Sequence, residues 1–301
     1  MYHSVPNLKE RDKKVRNTNP AYSLSVNRFR EQMEYIQKNR YKTLHLDQVL
    51  DDRKLTCKTP SPLPSPTRGE GDIVAPPSGR EVSNDSPPLR GGDKGEGEAN
   101  DFNRSLVITF DDGWADNYTN VFPILKEYGL TATVFVVTGF IGKENYMDWN
   151  QLREMSGAGI SIHSHTVSHK PLAQLSKADI KYELEMSKKT IEDHLGKQVN
   201  FLSLPHGVYN KKVLESAQEA GYQSVCTSEP GFSHEYKNLS VMKRINISDQ
   251  LPIDTFKKIL EQNDAVILPM LLSKKIKNMA KRLIGQEKYR KIYQLRYRVK
   301  T

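Results

Sequence analysis

The sequence predicts an α/β protein organised around a parallel sheet, either a barrel or an open sheet. Three observations carry this expectation. Short apolar runs alternate with amphipathic ones from residue 105 to 227, the amphipathic runs close on Gly129, Gly159, Gly196 and Gly221, and polar clusters follow directly on three of the apolar runs. Taken in order, Ser25 is placed to cap a helix whose apolar face is Phe29, Met33 and Ile36, and a short strand follows at 41–46. SLVITF (105–110) reads as a buried strand and 120–129 as a helix. TATVFVV (131–137) is the next strand and 149–159 the next helix, with Trp149 and Met155 at core spacing. The alternation continues with the strand ISIHSH (160–165), a long amphipathic helix at 176–196 begun by Ser176 or Asp179, and the strand FLSLP (201–205). A helix at 211–221 and the strand SVCT (224–227), which buries Cys226, complete it. In such a sheet, ligand chemistry belongs at the carboxyl ends of the strands.

Composition narrows the classes of function. The 301 residues carry 45 Lys+Arg against 36 Asp+Glu, a formal +9. No apolar stretch approaches the roughly 20 residues that span a bilayer. The N-terminal residues lack the apolar core of a secretory signal, so a cytoplasmic location is expected by default, or an envelope or secreted one if the true start lies upstream. Two cysteines, Cys57 and Cys226, exclude a disulfide framework and a Cys-rich zinc site. The charge is concentrated in 271–301, where eleven Lys/Arg face one acid, Glu287; this local +10 leaves the rest of the chain close to neutral.

Two segments stand apart from the alternation. Residues 58–100 hold eight of the sixteen prolines and seven of the eighteen glycines, with almost no large apolar side chains, which predicts a disordered insertion unable to offset its ordering entropy. SPLPSPTRGEGD (61–72) is echoed by SPPLRGGDKGEGE (86–98), and neither copy has an apolar face to stack. In 271–301, Ile276, Met279 and Leu283, then Tyr289, Ile292, Leu295 and Val299, recur at helical spacing around Gly285, which suggests two basic amphipathic helices. An appendage packed on the barrel with a solvated charged face fits this pattern. So does an interface with an anionic membrane surface or acidic polymer. Nucleic acid is disfavoured, since no recognised binding motif accompanies the charge.

Three polar clusters fall at strand ends: Asp111-Asp112-Gly113, His165-Thr166-Val167-Ser168-His169 and Pro205-His206-Gly207. Adjacent carboxylates repel unless a positive group sits beside them. Alone, Asp112-Gly113 reads as a loop turn and the two histidines as a polar loop. Together they offer an Asp and two His four apart, three ligands that leave a coordination position open, as a hydrolytic divalent metal requires. His163 alternates with His165 along its strand as a candidate supporting group, while His45, His194 and His234 show no constellation.

TFDDG (109–113) and SHTVSH (164–169) resemble the motifs of the polysaccharide deacetylases of the NodB-homology type, the fourth family of carbohydrate esterases. The resemblance extends loosely from the first residue to about residue 260, skipping the insertion. It implies a deformed (β/α) barrel, with 1–57 as its N-terminal part and 101–262 as its catalytic core. It also implies metal-dependent removal of acetyl groups, N-acetyl foremost, from an acetylated glycan. Carried over residue by residue, Asp112, His165 and His169 become ligands of one divalent metal, zinc first, and Asp111 the general base. His206 becomes the backbone oxyanion donor, with Pro205 beside it at the substrate. Independently of the resemblance, Trp114, directly after Asp111-Asp112-Gly113, offers an aromatic face to a sugar ring and is a candidate to line the cleft.

The chain also departs from that pattern. Ser203 stands where the third motif often has an Arg, so an Arg to orient the base is expected to be missing, and TSEPGF and KRINI occupy the region of the later motifs. Met1-Tyr2-His3 resembles a permuted arrangement in which His3 is the general acid, on a strand expected to be frayed at its start. These departures keep two other readings open: a catalytically impaired glycan-binding barrel, and a membrane-associated scaffold acting through its basic tail.

Overall fold

Residues 1–6, 22–49, 104–233 and 240–284 are described by the structure, a computed structural model. The insertion 58–100, His234 and the tail beyond residue 284 lie outside them. Helix α1 (Val26–Lys38) buries Phe29, Met33 and Ile36 as the periodicity requires, together with Gln32. Strand β1 (Lys42–Leu44) pairs in parallel with β2 (Ser105–Val107). The expected strand at 105–110 divides here: β3 (Thr109–Phe110) pairs instead with β4 (Thr133–Val136), and Ile108 links the two pairings.

From β3 onward the alternation holds. A π-turn, Asn117–Val121, leads into α2 (Phe122–Glu127); α3 (Trp149–Gly157) precedes β5 (Ser161–Ser164) and α4 (Lys177–Leu195) precedes β6 (Phe201–Ser203). Helix α5 (Lys211–Glu219) precedes β7 (Ser224–Cys226), beside which β8 (Ser240–Met242) lies. Helices α6 (Ile253–Leu260) and α7 (Ile267–Ile284) follow. Caps fix several of these helices: Ser176 Oγ accepts from the Asp179 backbone, and Asp148 with Gln151 forms a reciprocal capping box. Ser25 behaves differently, since its hydroxyl donates to Asp249 and ties the start of α1 to the segment just before α6.

The sheet runs β3-β4-β5-β6-β7-β8, all parallel. Its two edges are joined by the N-terminal segment. Tyr2 N–H donates to Thr109 O at 2.7 Å and Asp111 N–H to Tyr2 O at 3.0 Å, while Met1 N donates to Ile245 O and Ile247 N–H to Met1 O, both at 2.9 Å. The expected fraying is therefore overturned. These backbone bonds and the burial of Tyr2, stacked on Phe110 and edge-on to Phe29, tie the first residues to the sheet.

Strand alternation then sorts side chains into two environments. Val134, Val136, Ile162, Leu202 and Val225 face outward into a core with Leu152, Met155, Ile180, Leu184 and Val213 from the helices. Phe135, Phe201, Cys226 and Met242 face inward, with Leu46, as a second cluster that fills the barrel.

Candidate active site

The inward phase of the strands selects the polar residues at their ends. Thr109 leads to Asp111, His163 to His165, Phe201 to Ser203 and Met242 to Arg244, each two residues on and on the same face. Asp112, one step out of phase, reaches the same centre by a left-handed backbone (φ 77°). Seven non-glycine residues among those described have positive φ, and Asp112, Thr166, His169 and His206 are four of them. Strain of this kind persists where surrounding contacts over-determine it, here at one end of the barrel.

Those contacts are specific. Thr166 N–H donates to Ser164 Oγ and its Oγ accepts from His169 N–H, each at 3.1 Å. Buried Glu183, from α4, accepts from the Val167 and Ser168 amides at 2.8 and 2.9 Å and from the Ser168 hydroxyl. On the other side Gly139 N–H donates to Val167 O, and a Cβ on Gly139 would come within 2.5 Å of that oxygen.

The result is a three-donor set. Asp112 Oδ1 lies 3.3 Å from Nε2 of both His165 and His169, and all three donor atoms fall within 4.8 Å of one another. Tetrahedral zinc with bonds of about 2.1 Å separates its ligands by about 3.4 Å, so the spacing fits a metal of that size. His165 Nδ1–H donates to Ser203 O at 2.7 Å, so that in the neutral ring Nε2 is the lone-pair nitrogen a metal would take, while in the protonated ring Nε2–H faces Asp112; Trp114 Nε1 donates to Asp112 Oδ2 at 3.1 Å. Asp112 is held well below the usual carboxylate range: burial would raise it, but hydrogen bonds from His165 and His169 outweigh burial. His165 is raised, the carboxylates outweighing burial, which alone would lower it.

Asp111 has a different environment. Arg244 Nη1 and Nη2 each lie 2.8 Å from one of its oxygens, Nη2 also donates to Ser203 Oγ at 2.8 Å, and that hydroxyl donates to Asp111 at 3.0 Å. Burial alone would raise the carboxyl, but the Arg244 charge brings it down to about 2. The arginine expected to be missing is thus present, delivered from the end of β8 across the barrel rather than from position 203. Sequence reasoning passed over it inside KRINI because only the barrel's closure brings residue 244 beside residue 111.

The cleft at these strand ends has a volume of about 240 Å³ and is lined by Asp111, Asp112, His165 and His169 together with His3, Trp114 and His206. The His3 ring packs on Tyr22, its Nδ1 is buried without a partner, and burial lowers its pKa. His206 (φ 60°) places its ring 4.9 Å from that of His169, and Gly207 must be glycine there, because a Cβ would meet Ser228 Oγ at 2.1 Å. Pro205 is buried at the start of this turn and is not part of the lining. Trp114 stacks on Tyr146. His163 does not reach the donor set: its ring sits deeper in the barrel against Phe135 and Phe201, with Nε2 3.1 Å from Asp47. Likewise Trp149 is only half-buried and stacks on His194 at 3.9 Å. A larger, mostly apolar cavity of about 600 Å³ opens elsewhere, between β2, β8 and α6, and none of the three donors lines it.

A curled parallel sheet with an Asp-His-His donor set and an arginine-clamped carboxylate at its carboxyl end defines the class: a fold of the (β/α)-barrel type with a candidate metal centre. Residues 99–225 match the family described as Polysaccharide deacetylase. Among relatives, the chain is 35% identical over 158 residues to the putative polysaccharide deacetylase YxkH of Bacillus subtilis, covering 52% of this chain and 57% of that one. It is 30% identical over 181 residues to the poly-beta-1,6-N-acetyl-D-glucosamine N-deacetylase of Staphylococcus aureus, covering 54% and 59%. It therefore spans less than two thirds of these relatives. The fold is similar to that of the Streptococcus pyogenes deacetylase PplD (TM-score 0.63, 23% identity, 87% of this chain and 96% of that one). It is also similar to that of a de-N-acetylase from Aggregatibacter actinomycetemcomitans (TM-score 0.62, 18% identity, 85% and 97%). Both His3 and Arg244 lie outside the matched segment.

Proposed function

We propose that the chain is a metal-dependent deacetylase that removes acetyl groups, N-acetyl foremost, from a poly- or oligosaccharide. The observation that carries this reading is the pairing of Asp111 with Arg244 beside a separate donor set, Asp112, His165 and His169, in one cleft. Two adjacent carboxylates are given two tasks by their surroundings. Asp112 would hold a divalent metal, zinc first, with the two histidines. When bound, such a metal polarises the acetyl carbonyl and makes water nucleophilic near neutral pH.

The chain's own groups do the rest. Asp111, kept ionised by Arg244, takes the proton of the attacking water. The His206 backbone N–H donates to the oxygen that gains negative charge, and His3 returns a proton to the departing amine. Trp114, stacked on Tyr146, offers a flat apolar wall for a sugar ring. The near-neutral body of the chain suits an uncharged glycan.

The catalytic unit combines 1–57 with 101–262, and 58–100 is an insertion between them. The pairing of β1 with β2 supports this, since it joins one strand from each side of that segment. No described helix is long and apolar enough to cross a membrane.

The test is acetate release from acetylated chito-oligosaccharides and poly-N-acetylglucosamine with added zinc. Wild type is expected to release acetate and an Asp111→Asn variant to lose on the order of a hundredfold or more in kcat. Equal inertness of both across the panel would overturn the enzymatic reading in favour of a barrel that only binds glycans.

A further inference from the structure

Helix α7 carries two apolar faces, and the barrel uses only one. Ile267 is buried, and Met270 and Leu271 pack partly against the core, which docks the first turns. On the other side Leu268, Leu272, Ile276 and Met279 form a stripe at helical spacing, each 51–62% exposed. Four large apolar side chains aligned on one helix face are not the scattered single exposures of an ordinary surface.

The chemistry around the stripe selects its occupant. From Ala265 to Gln286 the sequence contains Lys274, Lys275, Lys277, Lys281 and Arg282 and no acidic residue. A second copy of this helix would bring like charges together along the contact. An acidic polymer would satisfy the lysines yet offer nothing to bury the leucines. An anionic lipid surface satisfies both, because acyl chains take the stripe while headgroups neutralise the cations.

We infer that α7 is an interfacial helix that seats the barrel on a negatively charged membrane surface without crossing it. This goes beyond the deacetylase reading and stands or falls separately from it, since its readout is lipid binding.

The full chain is mixed with phosphatidylcholine vesicles with or without phosphatidylglycerol, sedimented, and compared at low and high salt. Binding is expected with phosphatidylglycerol, weakened by salt, and poor on phosphatidylcholine alone. Leu272→Ser with Ile276→Ser, both exposed in the folded chain, should lower binding about tenfold or more with an unchanged thermal midpoint. Replacing Lys274, Lys275 or Lys277 with Ser should cost about fivefold each and flatten the salt dependence. Indifference to phosphatidylglycerol overturns the inference, as does wild-type binding by the Leu272→Ser, Ile276→Ser variant. So does a dimer in solution that the same variant dissociates, because the stripe would then cover a second copy.

Discussion

Arg244 grips Asp111 with both terminal nitrogens at 2.8 Å, across a sequence separation of 133 residues. The pair is buried, and Ser203 joins it from a third strand. Without Arg244, the low dielectric around Asp111 would favour its neutral acid and remove the proton acceptor. Arg244→Met is therefore expected to lower kcat by about a hundredfold or more with little change in KM. It should also move the acid limb of the pH profile upward, because a base loses activity below its pKa and this pKa rises when the cation is removed. A sharper check exchanges the partners: Ser203→Arg with Arg244→Ser returns a cation to Asp111 from the end of β6 and should recover part of the lost rate. No recovery, with a folded barrel and an intact metal site, would show that the origin of the arginine matters as much as its charge.

How much of this centre was legible follows from its spacing along the chain. Asp111 and Asp112 are adjacent, and His165 and His169 share one loop, so local sequence contains them. Tyr2-His3 also carries a local signal, but Arg244 enters only through the joining of β3 to the 245–247 segment by residues 1 and 2, a long-range event with no local signature. The same holds for Ser25, whose hydroxyl prefers Asp249 to the helix it precedes. Strand β8 has three residues and was passed over. SLVITF, a uniform apolar run, concealed a switch of partner at Ile108 that periodicity cannot express.

A chelator is expected to separate the roles of the two aspartates. If Asp112, His165 and His169 hold a metal in the folded state alone, removing it should abolish acetate release and lower the thermal midpoint, and zinc should restore both. His165→Ala should do the same without restoration. Asp111→Asn should still take up zinc while remaining inactive, which metal analysis of the purified variant checks.

His3 is tested by the leaving group. If it protonates the departing amine, His3→Gln should cost about a hundredfold or more on an N-acetyl substrate, yet little on 4-nitrophenyl acetate, whose leaving group needs no proton. Because burial lowers the pKa of His3, and a general acid is lost as pH rises through its pKa, the alkaline limb for the N-acetyl substrate should vanish in the variant. An equal loss on both substrates would assign His3 a structural role.

Glu183 contributes from behind the centre. Its carboxylate accepts two amides and a hydroxyl of the loop between His165 and His169, and nothing else described holds the Val167 and Ser168 amides. Glu183→Ala leaves those partly buried donors without their carboxylate, at a cost of about 1–3 kcal/mol in folding stability. It also frees His169 to drift from the geometry that Thr166 and Ser168 define, so zinc affinity should fall about 10- to 100-fold. Calorimetric zinc titration of the folded variant reads this directly.

At the opposite end of the barrel, Asp47 ties the segment after β1 to the floor of the sheet. It meets His163 Nε2 at 3.1 Å and the Ser161 hydroxyl, and Asn200 donates to its other oxygen at 3.2 Å. Burial alone would raise its pKa, but the bonds from His163, Ser161 and Asn200 hold it below the ordinary carboxylate value. A carboxylate depressed by folding contributes stability that is fully present above its unfolded pKa of about 4 and fades as pH falls further. Asp47→Asn keeps the shape and removes the charge, so it should destabilise the barrel by about 1–3 kcal/mol at neutral pH. The gap from wild type should then shrink progressively below pH of about 4, as Asp47 is protonated in the unfolded chain before it is in the folded one. Urea midpoints measured for both proteins between neutral and acid pH would show the curves converging, and a constant gap would mean that Asp47 acts through packing rather than charge.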